Sequence, residues 1–322
     1  MTTLSCINAV KRTDACHDDN GNLTRPPVAP LYMDVSFAGD RSGSMCSTQG
    51  GSQTGAVDYI KKQVEASKTL NCHLGFYIDF TTFDDIIEKP YSGAASEVTA
   101  AVLTMLRQAM TPRGSTRLYD AILDSLRRQM SRLETKFASL PYEVRCLVKD
   151  QPWLFGAACT PMTDGYDNAS AHGADQESRV ACMNFVHNYS ATGMVLAANR
   201  DAAQLAGELG LDPEAALQMG TTEVECRNAM SSAAAAQLRC ATSGGAVPPP
   251  ATRYFTQLER ETSCSRPAMV TPPPGSYRAQ TCPSRWAAQS PMPRMMRGNP
   301  PPVPVALLRA PVLGQNTVVG NR

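Results

Sequence analysis

From about residue 30 to about residue 241, short apolar runs alternate with amphipathic stripes. The runs at 31–38, 72–80, 85–91, 152–162 and 192–198 are bounded by Gly, Pro, Asp or Asn and read as strands, with a weaker sixth near 216–220. Between them Val57, Ile60 and Val64 share a helical face, as do Val98, Val102, Met105 and Ala109, and then Leu118, Ile122, Met130 and Leu133. Each stripe has one apolar side to bury, so the alternation predicts an α/β fold: a doubly wound, mostly parallel sheet with helices on both faces. Asp79 and Phe83-Asp-Asp85 mark a hairpin between the second and third strands, with Asp84 and Asp85 as solvated turn residues. Between Glu134 and Pro152 the chain spends more residues than a helix-to-strand link needs, and 142–148 reads as a short extra helix or an extension of the one before it.

Three polar segments sit beside these runs. Gly39-Asp-Arg-Ser-Gly-Ser-Met45 places Asp40, Ser42 and Ser44 at alternate positions just after the first strand. A strand-to-helix turn can converge three such oxygens on one point, which suits a hard divalent cation. Arg113-Gly-Ser-Thr-Arg-Leu-Tyr-Asp-Ala-Ile122 adds the hydroxyl of Thr116, and Pro161-Met-Thr-Asp-Gly-Tyr-Asp-Asn168 adds the carboxylate of Asp164. Each residue also has an ordinary alternative: turn formation for Asp40 and Ser42, N-capping of the helix beginning near Arg117 for Thr116, and an Asx turn with Gly165 for Asp164. Asp120, one helical turn beyond Thr116, reads as a residue favoured by the helix dipole.

In that order the three segments resemble a von Willebrand factor type A domain with a metal-ion-dependent adhesion site. The likeness runs from about Pro30 to about Ala241. It includes Phe80-Thr-Thr-Phe-Asp-Asp85, similar to the family's second-strand ending, and Ala197-Ala-Asn-Arg-Asp-Ala202 with Leu209-Gly-Leu211, similar to the fifth strand and its helix in intracellular and viral members. The resemblance implies that Asp40, Ser42, Ser44, Thr116 and Asp164 are the five metal-site residues.

Composition narrows the partners. A net charge of +1 and a pI near 7.5 give no reason to expect nucleic acid or an anionic membrane as the main partner. No run of about eighteen apolar residues and no basic region followed by an apolar core is present, so neither a membrane span nor a secretory signal is expected. The 11 cysteines are odd in number, scattered and without Cys-x-x-Cys pairs, and they read as free thiols of a reducing, intracellular, cytoplasmic compartment. Cys6 and Cys16-His17 lack a second pair to complete a zinc site. The three Asn-x-Ser/Thr matches carry no meaning without export.

After residue 241 the composition changes. Residues 242–322 hold fifteen of the 24 prolines and nine arginines, against two acidic residues, Glu259 and Glu261, and no lysine, which gives a local charge of +7. Prolines break both helix and sheet, and sparse apolar residues do not offset the entropy of ordering. The expected organisation is therefore an N-terminal extension (1–29), one α/β domain (30–241) and a disordered tail (242–322). The tail suits an acidic partner or RNA, or a proline-reading domain at 300–304, or no dedicated partner.

The ligand types suggest a mechanism. Ser and Thr hydroxyls are neutral, so a shell built from Ser42, Ser44 and Thr116, with Asp40 and Asp164 acting partly through water, leaves residual positive charge on the ion and one position open to a carboxylate. The expected activity is capture of a Glu or Asp from a partner protein, with Mg²⁺ favoured over Ca²⁺ by short ligands on rigid turns and Mn²⁺ also admissible. Two rival readings stand beside it. One is a metal-dependent hydrolase or phosphatase with Asp40 as nucleophile, against which Ser42 stands where a second acid is wanted and none of His17, His73, His172 and His187 lies in the three segments. The other is a structural pseudo-binding domain in a larger assembly, for example an ATPase accessory subunit, in which the site only stabilises the fold; with no phosphate-binding Gly-x-x-x-x-Gly-Lys-Ser/Thr loop present, any nucleotide-driven role would belong to a partner. The expectation is that the chain is not itself an enzyme.

Overall fold

The computed structural model describes residues 16–17, 23–24, 29–48, 50–70, 72–189, 191–243 and 254–265. Its strands are β1 (Tyr32–Asp40), β2 (Gly75–Phe83), β3 (Ile87–Ala94), β4 (Phe155–Thr163), β5 (Thr192–Gly193), β6 (Val195–Ala197) and β7 (Ala216–Gln218). Its α-helices are α1 (Gly51–Leu70), α2 (Ala100–Ala109), α3 (Leu118–Ala138), α4 (Tyr142–Asp150), α5 (Ala174–Tyr189), α6 (Ala202–Glu208), α7 (Glu223–Thr242) and α8 (Gln257–Ser263). A separate two-residue ladder pairs Cys16 with Thr24 and His17 with Leu23. No described helix is long and apolar enough to cross a membrane.

The sheet order is β3-β2-β1-β4-β6-β7, with β5 also on β4, and only the β2–β3 pair is antiparallel. The expected mixed α/β architecture is therefore present. Because β1 is followed by β2 on one side and β4 joins it on the other, the winding reverses between β1 and β4. A crevice at the carboxyl ends of these two strands is where an open α/β sheet binds ligands.

All nine residues of β1 are buried, and their alternation sorts them to two cores. Met33, Val35 and Phe37 face a core closed by α1 and α7, where Tyr59, Ile60, Ala229, Met230 and Ala233 are buried. Tyr32 and Ala38 face the opposite core, built with Leu118, Ile122 and Leu126 of α3 and Phe185 of α5. On that side Asp34 and Ser36 meet polar partners rather than apolar ones. Gln129 Nε2 donates to Asp34 Oδ1 (3.0 Å), Arg132 Nη2 donates to the same oxygen (2.9 Å), and the Ser36 and Ser125 hydroxyls are 2.6 Å apart. Each buried polar group of this strand thus has a partner. On the other face α1 and α7 approach closely enough that a Cβ on Gly51 would lie 2.7 Å from Glu223 Cα, and one on Gly55 would lie 2.7 Å from Met230 Sδ.

Several expectations need correcting. Asp84 is not a solvated turn residue: it is fully buried and accepts from Arg41 Nε (2.9 Å) and Arg113 Nε (2.6 Å), whereas Asp85 is exposed. In α2 the buried positions are Leu106 and, just past the helix, Met110, while Met105 is 39% exposed. The helix starts at Ala100 behind the Thr99 N-cap, which turns the 102/103/106/110 face inward. The run 192–198 is interrupted at Met194 into β5 and β6, whereas 142–148 does form the short extra helix expected as one of its two readings, α4.

The boundary placed at residue 241 falls inside α7, and packing continues beyond it. Phe255 is buried at 2% exposure, Arg239 of α7 pairs with Glu259 (2.7 Å), and Gly220 N donates to Ser263 O (2.7 Å). Residues 254–265 therefore strap α7, held by one buried aromatic and a Thr256–Glu259 capping box that the proline count obscured. The proline-rich remainder, 266–322, lies outside the described residues, as does most of the expected N-terminal extension.

Candidate acid and hydroxyl site at the carboxyl edge of the sheet

Asp40 is the last residue of β1, and Asp164 follows the last residue of β4, so the register of two neighbouring parallel strands delivers both carboxylates to the switch point. The chain after β1 forms a 3-10 turn over Gly43–Thr48. Ser42 N donates to Asp40 Oδ1 (2.7 Å), which is the turn-forming contact expected of Asp and Ser. The same turn holds the Ser42 and Ser44 hydroxyls 3.0 Å apart, and Ser44 Oγ donates to Asp164 Oδ1 (2.7 Å), 120 residues away in the chain. Asp164 is thus tied to the first segment and not to an Asx turn with Gly165.

Two contributors were not anticipated. Thr163 Oγ1 donates to Asp40 Oδ2 (2.6 Å), and Ser47 Oγ lies 3.4 Å from Asp164 Oδ2. Thr163 was legible as the residue before Asp164 at a strand end. Ser47 was not, because only the 3-10 turn swings it back toward the site.

Thr116 stands on the third side, brought there by its backbone. Arg113 N donates to Arg41 O (2.6 Å), Gly43 N donates to Gly114 O (3.0 Å), and Asn168 and Ala169 both donate their N–H to Thr116 O (3.1 and 3.0 Å). Gly114 makes this approach with φ at +66°, where a Cβ would fall 2.0 Å from Asp85 Oδ1. Thr116 is 3% exposed and does not cap α3. That cap comes from Asp167, which accepts from Leu118 N (2.8 Å) across 49 positions and could not be read from local sequence. No hydrogen bond joins the Thr116 hydroxyl to the other four predicted residues, so those four form one bonded cluster and Thr116 flanks it. Asp120 has the structural role expected of it, accepting from Arg117 Nη2 (2.7 Å) and Ala171 N (3.1 Å).

The electrostatics of the cluster are one-sided. Asp40 is fully buried, and this burial pushes its carboxyl up to about 6 despite hydrogen bonds from Thr163 and Ser42, with the Asp164 charge adding to the rise. Burial also raises the Asp164 carboxyl above its ordinary value, against hydrogen bonds from Ser44 and Ser47. Arg41 lies between Asp40 and Ser42 in sequence but turns away to Asp84 and Glu88. Among the described residues no basic side chain pairs with Asp40 or Asp164. Ser44 and Ser47 are exposed, so the cluster meets solvent through hydroxyls.

Among the described residues no three His, Cys, Asp or Glu side chains are grouped to hold a metal ion. A cation here would rest on two carboxylates and neutral hydroxyls, an all-oxygen set that fits a hard divalent ion. Those donors are Asp40, Ser42, Ser44 and Asp164, with Thr116 at the flank.

No family model matches the chain, and no curated protein matches it in sequence. Solved structures similar to it include a von Willebrand factor type A protein from Catenulispora acidiphila (12% identity, TM-score 0.40, covering 65% of this chain and 43% of that one). The PilB minor pilin from Streptococcus sanguinis is also similar (13% identity, TM-score 0.41, 68% and 64% covered). So is proximal thread matrix protein 1 from the mussel byssus (13% identity, TM-score 0.41, 66% and 47% covered). The chain spans less than two thirds of the length of each of these structures.

Proposed function

We propose that the carboxyl edge of this sheet binds a divalent cation, Mg²⁺ before Mn²⁺ or Ca²⁺, and that the bound ion captures a Glu or Asp side chain of a partner protein. The observation that carries the reading is the pairing of two buried carboxylates, Asp40 and Asp164, with hydroxyls and with no basic partner. Two like charges held in a low-dielectric crevice raise each other's energy, and a divalent cation relieves both. Because the remaining donors are neutral, the ion would keep net positive charge toward the solvent-facing side of Ser44 and Ser47 and would bind an incoming carboxylate there. A bound metal would supply positive charge for an incoming carboxylate; Thr163, Ser42, Ser44 and Ser47 hold the two aspartates that would carry it. The function is recognition without bond cleavage.

The test is isothermal titration of the protein with MgCl₂, followed by affinity capture from cell extract with and without chelator. The reading expects saturable Mg²⁺ binding lost in Asp40→Ala, and partners released by chelator. Mg²⁺ binding unaffected by Asp40→Ala would remove it.

A further inference from the structure

One exit from the sheet carries a charge that the site above does not use. Arg200 follows β6, which pairs with β4 through Thr163↔Ala197, so Asp164 and Arg200 leave adjacent strands one and three residues beyond the same register pair. Neighbouring strands lie about 4.8 Å apart. Arg200 is 6% exposed. Its Nη2 is paired with Glu208, which also accepts from Tyr119 (3.2 Å) and Gln204 (2.9 Å). Its Nε and Nη1 have no acceptor among the described residues. A buried guanidinium with donors unmet on two of its three nitrogens is costly to hold, and few native groups are left so.

Two further features single out this position. Asn199, immediately before it, has φ at +52°, the one left-handed non-glycine residue among those described. The Tyr166 ring, two residues beyond Asp164 and 65% exposed, lies on the guanidinium with its centroid 4.8 Å from Cζ. Burial works to discharge the group, but the neighbouring Tyr119 hydroxyl and the Glu208 charge raise its pKa, so it stays protonated. A permanent cation with open donors, covered by one exposed ring, therefore stands at the same edge of the sheet as the acid and hydroxyl cluster, one strand over.

We infer that Arg200 is a carboxylate-recognition residue taking a second acid from the same ligand whose first acid reaches the metal, with Tyr166 swinging aside to admit it. The inference deepens the proposed function and rests on it for the first acid. Guanidinium planes suit carboxylates, and extended peptides place residues two apart about 6.6 Å from each other on one side, enough to reach across the roughly 4.8 Å between adjacent strands. The ligand class is thus a segment with two acidic side chains one residue apart.

Two measurements on the full chain test it. The Nε–H signal of Arg200, assigned by its loss in Arg200→Lys, is followed by NMR during titration with sodium acetate and, separately, inorganic phosphate, against NaCl at equal ionic strength. A saturable shift with acetate supports the assignment; no shift beyond the NaCl control, or a shift with phosphate alone, overturns it. In parallel, synthetic peptides carrying one glutamate, or two separated by a single residue, are titrated in MgCl₂. The second acid should strengthen binding by about tenfold or more, and Arg200→Gln should abolish that gain while leaving the single-glutamate affinity unchanged. A gain that persists in Arg200→Gln overturns the inference with metal capture intact. If neither peptide binds, metal capture fails and the acetate titration alone decides Arg200.

Discussion

Asp40→Asn should stabilise the protein in chelator and destabilise it, relative to the native sequence, in saturating Mg²⁺. Burial and the neighbouring Asp164 carry the Asp40 carboxyl from its ordinary 3.8 to about 6, which corresponds to at most about 3 kcal/mol of destabilisation at neutral pH. Asn keeps the contact with Ser42 N, and Thr163 can rotate to accept from the new amide, so the substitution forfeits about 1 kcal/mol of hydrogen bonding. The net gain is about 1–2 kcal/mol, or about 2–8 °C in Tm for a domain of this size. Mg²⁺ at a hundredfold excess over its Kd adds about 2.7 kcal/mol to the native protein and little to the variant, which reverses the ranking. The raised carboxyl also fixes the sign with pH. Below 3.8 the group is protonated whether folded or not, so the variant's advantage in chelator shrinks as pH falls through about 6 toward 3.8. Differential scanning fluorimetry of both proteins, with chelator and with Mg²⁺, reads all of this. A variant less stable than the native protein in chelator would show that the carboxylate is comfortable without a cation, and the case for an ion here would fall with it.

Further outcomes follow from the packing. Asp84→Ala leaves Arg41, 3% exposed, without its buried partner and should cost about 3 kcal/mol in urea denaturation, Glu88 retaining part of the pair. Glu225 is 8% exposed, and hydrogen bonds from Ser265 and Thr222 outweigh burial to bring its carboxyl from 4.5 to about 2. Its stabilisation is present above 4.5 and lost as pH falls toward 2, so the native protein and Glu225→Gln should differ by about 2 kcal/mol at pH 7 and converge in acid. Gly51→Val forces α7 off α1 at Glu223 Cα and should lower stability by about 2 kcal/mol or more, measured by the urea midpoint. Phe255→Ala should cost about 3 kcal/mol by the same assay if residues 254–265 belong to the domain, and nothing if they merely trail from it.

The strands were legible because nearly every one is bounded by Gly, Pro, Asp or Asn and too apolar for a surface: β1 could be placed within two residues at each end. The antiparallel β2–β3 hairpin followed from Phe83-Asp-Asp85 as punctuation, but the burial of Asp84 did not, since nothing local distinguishes a solvated turn aspartate from one that two distant arginines enclose. In the site, Asp40, Ser42 and Ser44 are neighbours in sequence and could be read together, and Asp164 could be added as an acid at a strand end. Asp167 and Ser47 escaped because their roles arise from contacts across loops. The strap at 254–265 was hidden for a different reason: composition averages over a window, and one buried phenylalanine with one capping box sits inside a segment whose mean is polar and proline-rich.

The strap also decides where the chain departs. It begins beside Arg239 near the end of α7 and climbs to Ser265, which Glu225 holds at the first turn of α7, on the rim where the aspartates open. Leu31, by contrast, enters at the opposite rim, bonded to Leu154 O just before β4. The described backbone consequently ends, at residue 265, on the rim that carries Asp40 and Asp164, and enters β1 from the opposite rim, so the sheet separates its two ends by its full strand length.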